Sequence, residues 1–258
     1  MLGFNGGTIG VANTVTGTFA SGLWTSSDHI KQIRNELWPG LIVTDGLVLH
    51  LDAGDNASYP GSGTTWFDLT TNSNDGTITG ATYGSANGGS LSFDGVNDVV
   101  NASTSIIDRA DGQEITVSCW IKPSRTSGQY SVFCANRSND NSIYNWIFYQ
   151  HTNDGAISFH GDAQNKSSYI PTTNIWINVT NTVTASAVST LYVNGVSTYT
   201  VTGYTYGNGT PSRLGIGADP GGQEPFQGSI SQVTIYNKAL TQSEITQNYN
   251  ALKGRYGL

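Results

Sequence analysis

Charge is scarce in this chain of 258 residues. Only 11% of the residues are charged, against about 25% in an average soluble domain. The 18 acidic residues outnumber the 11 basic ones, which gives a net charge of −7. Proteins that bind nucleic acid neutralise phosphates with clustered Lys and Arg. The composition therefore excludes nucleic acid as a partner.

Cysteine and long apolar runs are also lacking. Two cysteines, Cys119 and Cys134, cannot build a disulfide framework, and four scattered histidines form no zinc-site spacing with them. We expect both thiols to be small core side chains. The sequence has neither the apolar run that a membrane span needs nor the basic and apolar regions of a cleaved signal. We therefore expect synthesis in a cytosol and no membrane span.

Small polar residues take the place of charge: the chain has 32 Gly, 31 Thr, 27 Ser and 23 Asn. Disorder is excluded because 37% of the residues are apolar and 10% are aromatic, enough to bury a core. Asp outnumbers Glu by 14 to 4, and Asp favours turns whereas Glu favours helices. This bias predicts a turn-rich β protein.

From Leu41 onward, short β-branched and aromatic runs alternate with Gly, Asn, Asp and Pro, which is typical of an antiparallel sandwich. The pair Asn194-Gly195 between two such runs predicts a tight hairpin with a type I′ turn. The pattern predicts twelve strands, near residues 46–53, 90–93, 98–102, 115–122, 131–136, 144–150, 156–160, 175–184, 190–193, 196–201, 212–217 and 229–236.

Two short helices are predicted outside the strand region. Near the N-terminus, Thr25 and Asp28 resemble a capping box, and the apolar stripe that follows ends at Pro39. Near the C-terminus, Thr241 and Glu244 begin a helix that we expect to pack across the sandwich. We therefore divide the chain into an arm with an amphipathic helix, residues 1–40, and a sandwich with a C-terminal helix, residues 41–258.

Catalytic patterns are weak. The four glutamates are isolated, so the closely spaced carboxylates that sandwich-type glucanases carry on one strand are missing. Asp52 and Asp55 leave a hydrolase open as an alternative, although both sit where a strand enters a turn that they would cap. No nucleophile elbow or phosphate-binding loop is present.

A calcium site is the second chemical alternative. Asp94 and Asp98 flank one tight turn, and Ca²⁺ prefers carboxylates and carbonyls from loops. The same side chains can instead cap their own turn. We therefore expect no cofactor and keep Asp94 and Asp98 as weak calcium candidates.

Aromatic residues among Gly, Thr and Asn suggest a glycan site, because sugar sites stack aromatic faces on the ring and surround them with polar groups. Contacts between subunits would use the same residue types. In contrast, Tyr144, Trp146 and Phe148 alternate on one strand and are predicted to be core. The candidate glycan-binding residues are Tyr199, Tyr204, Tyr206, Tyr59 and Trp66.

Several strings together carry a family resemblance. GLVLHLDAGDNASYPGSGTTWFDLTTNSNDGT, GGSLSFDGVNDVV, ITVSCWIKP, LYVNG and FQGSISQVTIYNKALTQSEITQNYNALKGRYGL cover much of residues 41–258. They resemble the laminin G-like, concanavalin A-like domains of tailed-bacteriophage structural proteins. The leader that ends in Trp38-Pro39 resembles the segment that precedes this domain in the same group.

The resemblance implies a two-sheet jelly roll displayed on a virion, with a glycan or a protein as ligand. Members often have acidic residues where this chain has Ser231-Gln232, so the resemblance supports calcium less here. The implied partners are other virion proteins of the capsid or tail, further copies of the chain in a symmetric assembly such as a trimer, and a host-surface glycan. The implied virion-attachment residues are Phe4, Phe19, Trp24, Ile30, Ile33 and Leu37.

From the sequence we therefore predict a non-enzymatic virion structural protein, assembled in the host cytoplasm and displayed as a capsid decoration, fibre or tail appendage. Two alternatives stay open at this point. One is a polysaccharide-degrading hydrolase on the same fold, and the other is an architectural cement protein without a ligand.

Overall fold

The computed structural model describes residues 41–104, 107–125, 128–140, 142–162 and 164–258. The predicted arm and helix at 1–40, with all six predicted attachment residues, lie outside the described residues. Among the helices that the structure describes, none has the length and apolar character needed to cross a bilayer.

Sixteen described strands form two antiparallel sheets of eight strands each. The strands are β1 (Leu47–Asp52), β2 (Thr65–Trp66), β3 (Gly76–Thr79), β4 (Thr82–Gly84), β5 (Ser90–Asp94), β6 (Val99–Ser103), β7 (Ile115–Pro123), β8 (Ser131–Arg137), β9 (Tyr144–Gln150), β10 (Ile157–His160), β11 (Gln164–Lys166), β12 (Ile177–Val183), β13 (Val188–Val193), β14 (Val196–Thr202), β15 (Arg213–Ile216) and β16 (Gln227–Tyr236).

The two sheets confirm the predicted mainly β sandwich. Sheet A has the order β14-β13-β12-β7-β16-β5-β4, and β1 also pairs with β16. Sheet B has the order β11-β10-β9-β8-β15-β6-β3-β2. All twelve predicted strands are present within a few residues of the expected bounds. The four that the pattern missed, β2, β3, β4 and β11, have only two to four residues each.

The core lies between the sheets and is built largely from alternate residues of the longer strands. Trp146 and Phe148 of β9 face Val117 and Cys119 of β7 in one buried cluster. Cys119 and Cys134 are free and fully buried, as expected for small core side chains. The predicted type I′ geometry of the β13–β14 hairpin is also present, because Asn194 and Gly195 both have positive φ, 50° and 78°.

The outer faces of the two sheets differ. Helix α1 (Gln242–Leu252) begins with the predicted capping box, in which Thr241 and Glu244 bond to each other's backbone N–H. The helix and the 3-10 turn Lys253–Tyr256 cover part of the outer face of sheet A. There the ring of Trp120 stacks on the rings of Tyr256 and Tyr249, at centroid distances of 4.1 and 5.7 Å. The outer face of sheet B contains an open cleft at the strands 131–137, 144–150 and 157–160.

Candidate functional site

The structure places two predicted glycan residues in the core. Tyr204 and Tyr206 are 2% and 5% exposed. Their rings contact each other at 5.3 Å, and Tyr204 also packs on Phe159 at 5.7 Å. The Tyr206 hydroxyl donates to the carbonyl of Gln113. The expectation of displayed loop rings needs correction, since neither side chain offers a face for a sugar to stack on.

Tyr59 and Trp66 require the same correction. Trp66 is fully buried, and Tyr59 is 5% exposed with its ring 5.2 Å from that of Tyr83. The Tyr59 hydroxyl donates to the carbonyl of Gly63, so the side chain holds its own Gly-rich loop. Of the five predicted rings only Tyr199, on edge strand β14, is exposed, at 38%. Its role in sugar binding stays a prediction.

The two calcium candidates form turn contacts. Asp98 accepts from the backbone N–H of Asp94 at 2.8 Å, and Asp94 accepts from that of Val96 at 2.8 Å. Burial raises the pKa of Asp98. Among the described residues, no group of three or more His, Cys, Asp or Glu side chains could hold a metal ion.

Asp52 and Asp55, the carboxylates of the hydrolase alternative, also have structural partners. Asp52 is 4% exposed and binds both terminal nitrogens of Arg255, at 2.6 and 3.0 Å. It also accepts from the backbone N–H of Gly54, and Asp55 accepts from that of Ala57. Both carboxylates therefore hold the turn after β1, and Asp52 in addition fixes the C-terminal segment.

The cleft on the outer face of sheet B was missed by the sequence analysis. It has a volume of about 380 Å³ and opens where β8, β9 and β10 pair side by side. Its lining residues are Tyr130, Arg137, Tyr144, Ile147, Tyr149, His160 and Glu224.

Apolar residues form the floor of the cleft. Ile147 and Tyr149 of β9 point away from the core and form a separate buried cluster with Val132 and Ala135 of β8. The sequence carries a signal for this floor, because Tyr144–Gln150 is apolar on both strand faces, whereas a strand with one solvated face alternates. The prediction that Trp146 and Phe148 are core concerns one face of that strand, and the floor of the cleft belongs to the other face.

Aromatic rings form the walls. On one side, Tyr130 contacts Tyr149 edge to face at 5.5 Å. On the other, the ring of Tyr144 stacks on that of His160 at 6.0 Å and 16°, and its hydroxyl donates to Asp162 at 2.9 Å. Tyr144 was predicted to be core, but its half-buried side chain lies at the rim. The cleft therefore offers the rings of Tyr130 and Tyr144 and the imidazole of His160, above the buried ring of Tyr149.

An ion pair lies among these rings. Arg137, at the end of β8, contacts Glu224 at 3.0 Å and the buried carboxylate of Asp219 at 3.7 Å. Asp219 also accepts from the backbone N–H groups of Gly221 and Gln223, which fixes the loop between β15 and β16. The loop carries Glu224 into the cleft with a positive φ of 54°.

The electrostatics of the cleft follow from burial. Burial raises the pKa of Glu224, although Arg137 opposes the shift. Burial, with a smaller effect of Arg137, lowers the pKa of His160, and Asp162 opposes that shift. A lowered pKa keeps the His160 imidazole neutral near pH 7. An aromatic cleft with a neutral imidazole and a fixed Arg–carboxylate pair can stack on a sugar ring and bond to its hydroxyls.

Comparisons with known proteins agree with the fold. A family model, laminin G 3, described as the concanavalin A-like lectin/glucanases superfamily, matches residues 93–246. No curated protein matches the chain.

Three solved structures illustrate the range of proteins to which the fold of this chain is similar. Domain 4 of AbnA, an extracellular GH43 arabinanase from Geobacillus stearothermophilus in complex with arabinotriose, has 20% identity and a TM-score of 0.59, and the match covers 79% of this chain and 98% of that one. The binding domain of Paraclostridial mosquitocidal protein 1 has 19% identity and a TM-score of 0.63, over 80% of this chain and 52% of that one. A Trypanosoma rangeli sialidase complex has 15% identity and a TM-score of 0.61, and the match covers 84% of this chain and 34% of the sialidase chain. At these identities the likeness shows the fold alone.

Proposed function

Because the chain belongs to the laminin G 3 family of the concanavalin A-like lectin/glucanase superfamily, we propose that it is a non-catalytic glycan-binding module and that the cleft on sheet B is its binding site. The observation that carries the proposal is the set of aromatic walls around an apolar floor, formed by side chains of β8, β9, β10 and their loops. Stacking rings beside a few placed polar groups is the arrangement that binds sugars. The complex of the similar arabinanase domain with arabinotriose supports sugar as the ligand class.

The carboxylates of the cleft favour binding over hydrolysis. Glycoside hydrolysis ordinarily needs two carboxyl groups that flank the scissile bond. Among the described lining residues Glu224 is the one carboxylate. The neighbouring Asp219 has no exposed side-chain surface, so a substrate could not contact it. Asp162, at the rim, already accepts a hydrogen bond from the Tyr144 hydroxyl.

The proposal is tested with two tyrosines of nearly equal exposure. Tyr130 lies in the cleft and is 37% exposed, whereas Tyr199 lies on edge strand β14 of sheet A and is 38% exposed. On an oligosaccharide array, we expect Tyr130→Ala to weaken binding roughly fivefold, because about 1 kcal/mol of stacking is lost. We expect Tyr199→Ala to bind like the wild type. If only Tyr199→Ala lost oligosaccharide binding, the binding site would lie at β14 and not in the cleft. If the protein cleaved a bound polysaccharide, it would be a hydrolase.

We further propose that the module is displayed on a phage particle as a decoration, fibre or tail appendage. The sequence resemblance supports this role, as does the low charge of a Thr- and Asn-rich chain. Many copies on one particle would raise the effective affinity of a weak sugar site.

Deletion of residues 1–22 tests the display role. We expect the shortened chain to be missing from purified particles, while the isolated variant unfolds at the same temperature as the full chain. If the shortened chain were incorporated into particles as well as the full-length chain, attachment through the arm would be contradicted. If the full-length chain itself were absent from particles, the virion role would be contradicted.

A further inference from the structure

We infer that the ligand of the sheet B cleft is a neutral sugar and that the Arg137–Glu224 pair binds its hydroxyl groups. This inference rests on the proposed function, because it names the class of ligand for the same cleft. It goes further in assigning the polar recognition to one ion pair and in excluding acidic glycans.

The first argument is the charge balance. Arg137 is the one cation among the described lining residues, and Glu224 already holds it at 3.0 Å. The carboxylate of Asp219 lies 3.7 Å from the same nitrogen, and Asp162 lies at the rim, bonded to Tyr144. Two carboxylates therefore contact one guanidinium, and a third lies at the rim of the cleft. A ligand carboxylate or sulfate would have to displace Glu224 and would meet like charge, which opposes binding.

The second argument is the hydrogen-bonding capacity that the pair retains. Nε of Arg137 has no exposed surface, so a ligand in the cleft could not contact it. Glu224 uses Oε2 for Arg137, and its Oε1 has no bond to the described residues. Buried donors and acceptors are ordinarily satisfied. The free Oε1 of Glu224 therefore fits a sugar hydroxyl, which can donate a hydrogen bond to it.

The third argument is that the pair is held in place without a ligand. Asp219 anchors its loop through two backbone N–H groups, and the α-carbon of Gly221 lies so close to the carbonyl of Asn139 that a Cβ would clash with it. The polar group is therefore fixed before a sugar arrives, which lowers the entropic cost of binding.

The experiment uses the full chain and an array that pairs neutral oligosaccharides with counterparts in which a hydroxymethyl group is oxidised to a carboxylate or a hydroxyl is sulfated. We expect each neutral ligand to bind at least about tenfold more tightly than its acidic counterpart. Neutral-ligand affinity should also change little between about 50 mM and about 500 mM salt, since salt screens interactions between exposed charges.

Glu224→Gln is the matched variant, because it keeps the size of the side chain and removes its charge. We expect this variant to bind neutral ligands roughly tenfold more weakly than the wild type does, since a bond to a charged acceptor is lost. We also expect a smaller ratio between its affinities for neutral and for acidic ligands. Tyr199→Ala is the control, and an unchanged melting temperature shows that the variant is folded.

The outcomes separate this inference from the proposed function. Wild-type binding that depends on Tyr130 but is tighter for acidic ligands would overturn the neutral-sugar inference and leave the binding site intact. Neutral-sugar binding that Glu224→Gln leaves unchanged would overturn the role of the ion pair. Absence of any binding that depends on Tyr130 would overturn the proposed function itself.

Discussion

Asp52 and Arg255 form a partly buried ion pair that joins the start of the sandwich to the end of the chain. The pair is 6% and 21% exposed at its side chains. Asp52→Asn should lower the free energy of unfolding by about 2 kcal/mol, below the full cost of breaking a buried pair because water still reaches Arg255. Urea unfolding measures the change. Asp55→Asn, at an exposed turn, is the control and should lower the free energy of unfolding by clearly less. Equal losses of stability in the two variants would contradict the stabilising role of the Asp52–Arg255 pair.

His50 gives the molecule a dependence on pH. Burial lowers its pKa, and its Nε2 lies 3.0 Å from the side-chain amide nitrogen of Gln232, which donates to it when Nε2 carries no proton. A lowered folded pKa means that the unfolded chain binds the proton more readily, so stability is lost as pH falls below about 6.5. The charged groups that act on the ring are Asp52, Asp68, Asp55 and Arg255.

Urea unfolding at about pH 7.5 and about pH 5 tests this effect, since the unfolded chain takes up the His50 proton more readily than the folded chain as the pH falls. We expect the wild type to lose stability at the lower pH and His50→Gln to lose less of it. An equal loss in both proteins would show that His50 is not the group responsible.

Individual residues were the least predictable part of the site. Tyr204 and Tyr206 stand between glycines and resemble loop residues in sequence, but the segment packs beneath β10 and they are buried. Their burial depends on Phe159 and Gln113, which are distant in the chain. Glu224 and Arg137 are likewise 87 residues apart, and no local pattern indicates that they meet.

At the scale of elements, the C-terminal segment is the most informative. Tyr256 stacks on Trp120 and donates a hydrogen bond to Ser231 at 2.9 Å, and burial raises its pKa to about 12. Tyr256→Ala should reduce the free energy of unfolding by about 3 kcal/mol because it removes a buried ring. It should also shift tryptophan fluorescence to longer wavelength as Trp120 becomes solvated.

Tyr256→Phe is the matched variant, because it keeps the ring and loses only the hydroxyl bond. Its expected cost is about 1 kcal/mol. If the two variants were equally destabilised, the hydrogen bond and not the stacked ring would hold the segment on sheet A.

The elements themselves could largely be predicted from local patterns. Short β-branched and aromatic runs bounded by Gly, Asn, Asp and Pro located twelve strands. The pair Asn194-Gly195 located a hairpin, and Thr241 with Glu244 located the start of α1. The four short strands were missed because two to four residues cannot show a period of two. Strand β11 in addition has no β-branched residue.

At the scale of the whole molecule, the outer faces of the sheets decide where a ligand can bind. The C-terminal segment covers Trp120 on sheet A, whereas β8 to β10 of sheet B present apolar and aromatic side chains to the cleft. Sequence alone could not assign these roles, since the order of strands and the docking of the last residues are set by contacts across the whole chain. The resemblance indicated the fold class but did not locate the cleft.

Amide chemical-shift mapping tests most directly the claim that the sheet B cleft binds sugar. The oligosaccharide that binds most tightly on the array is added to the full chain. The account predicts perturbed amides in β8, β9, β10 and the 217–226 loop, with β14 unchanged. Perturbations centred on β14, or no saturable perturbation in the cleft, would contradict it.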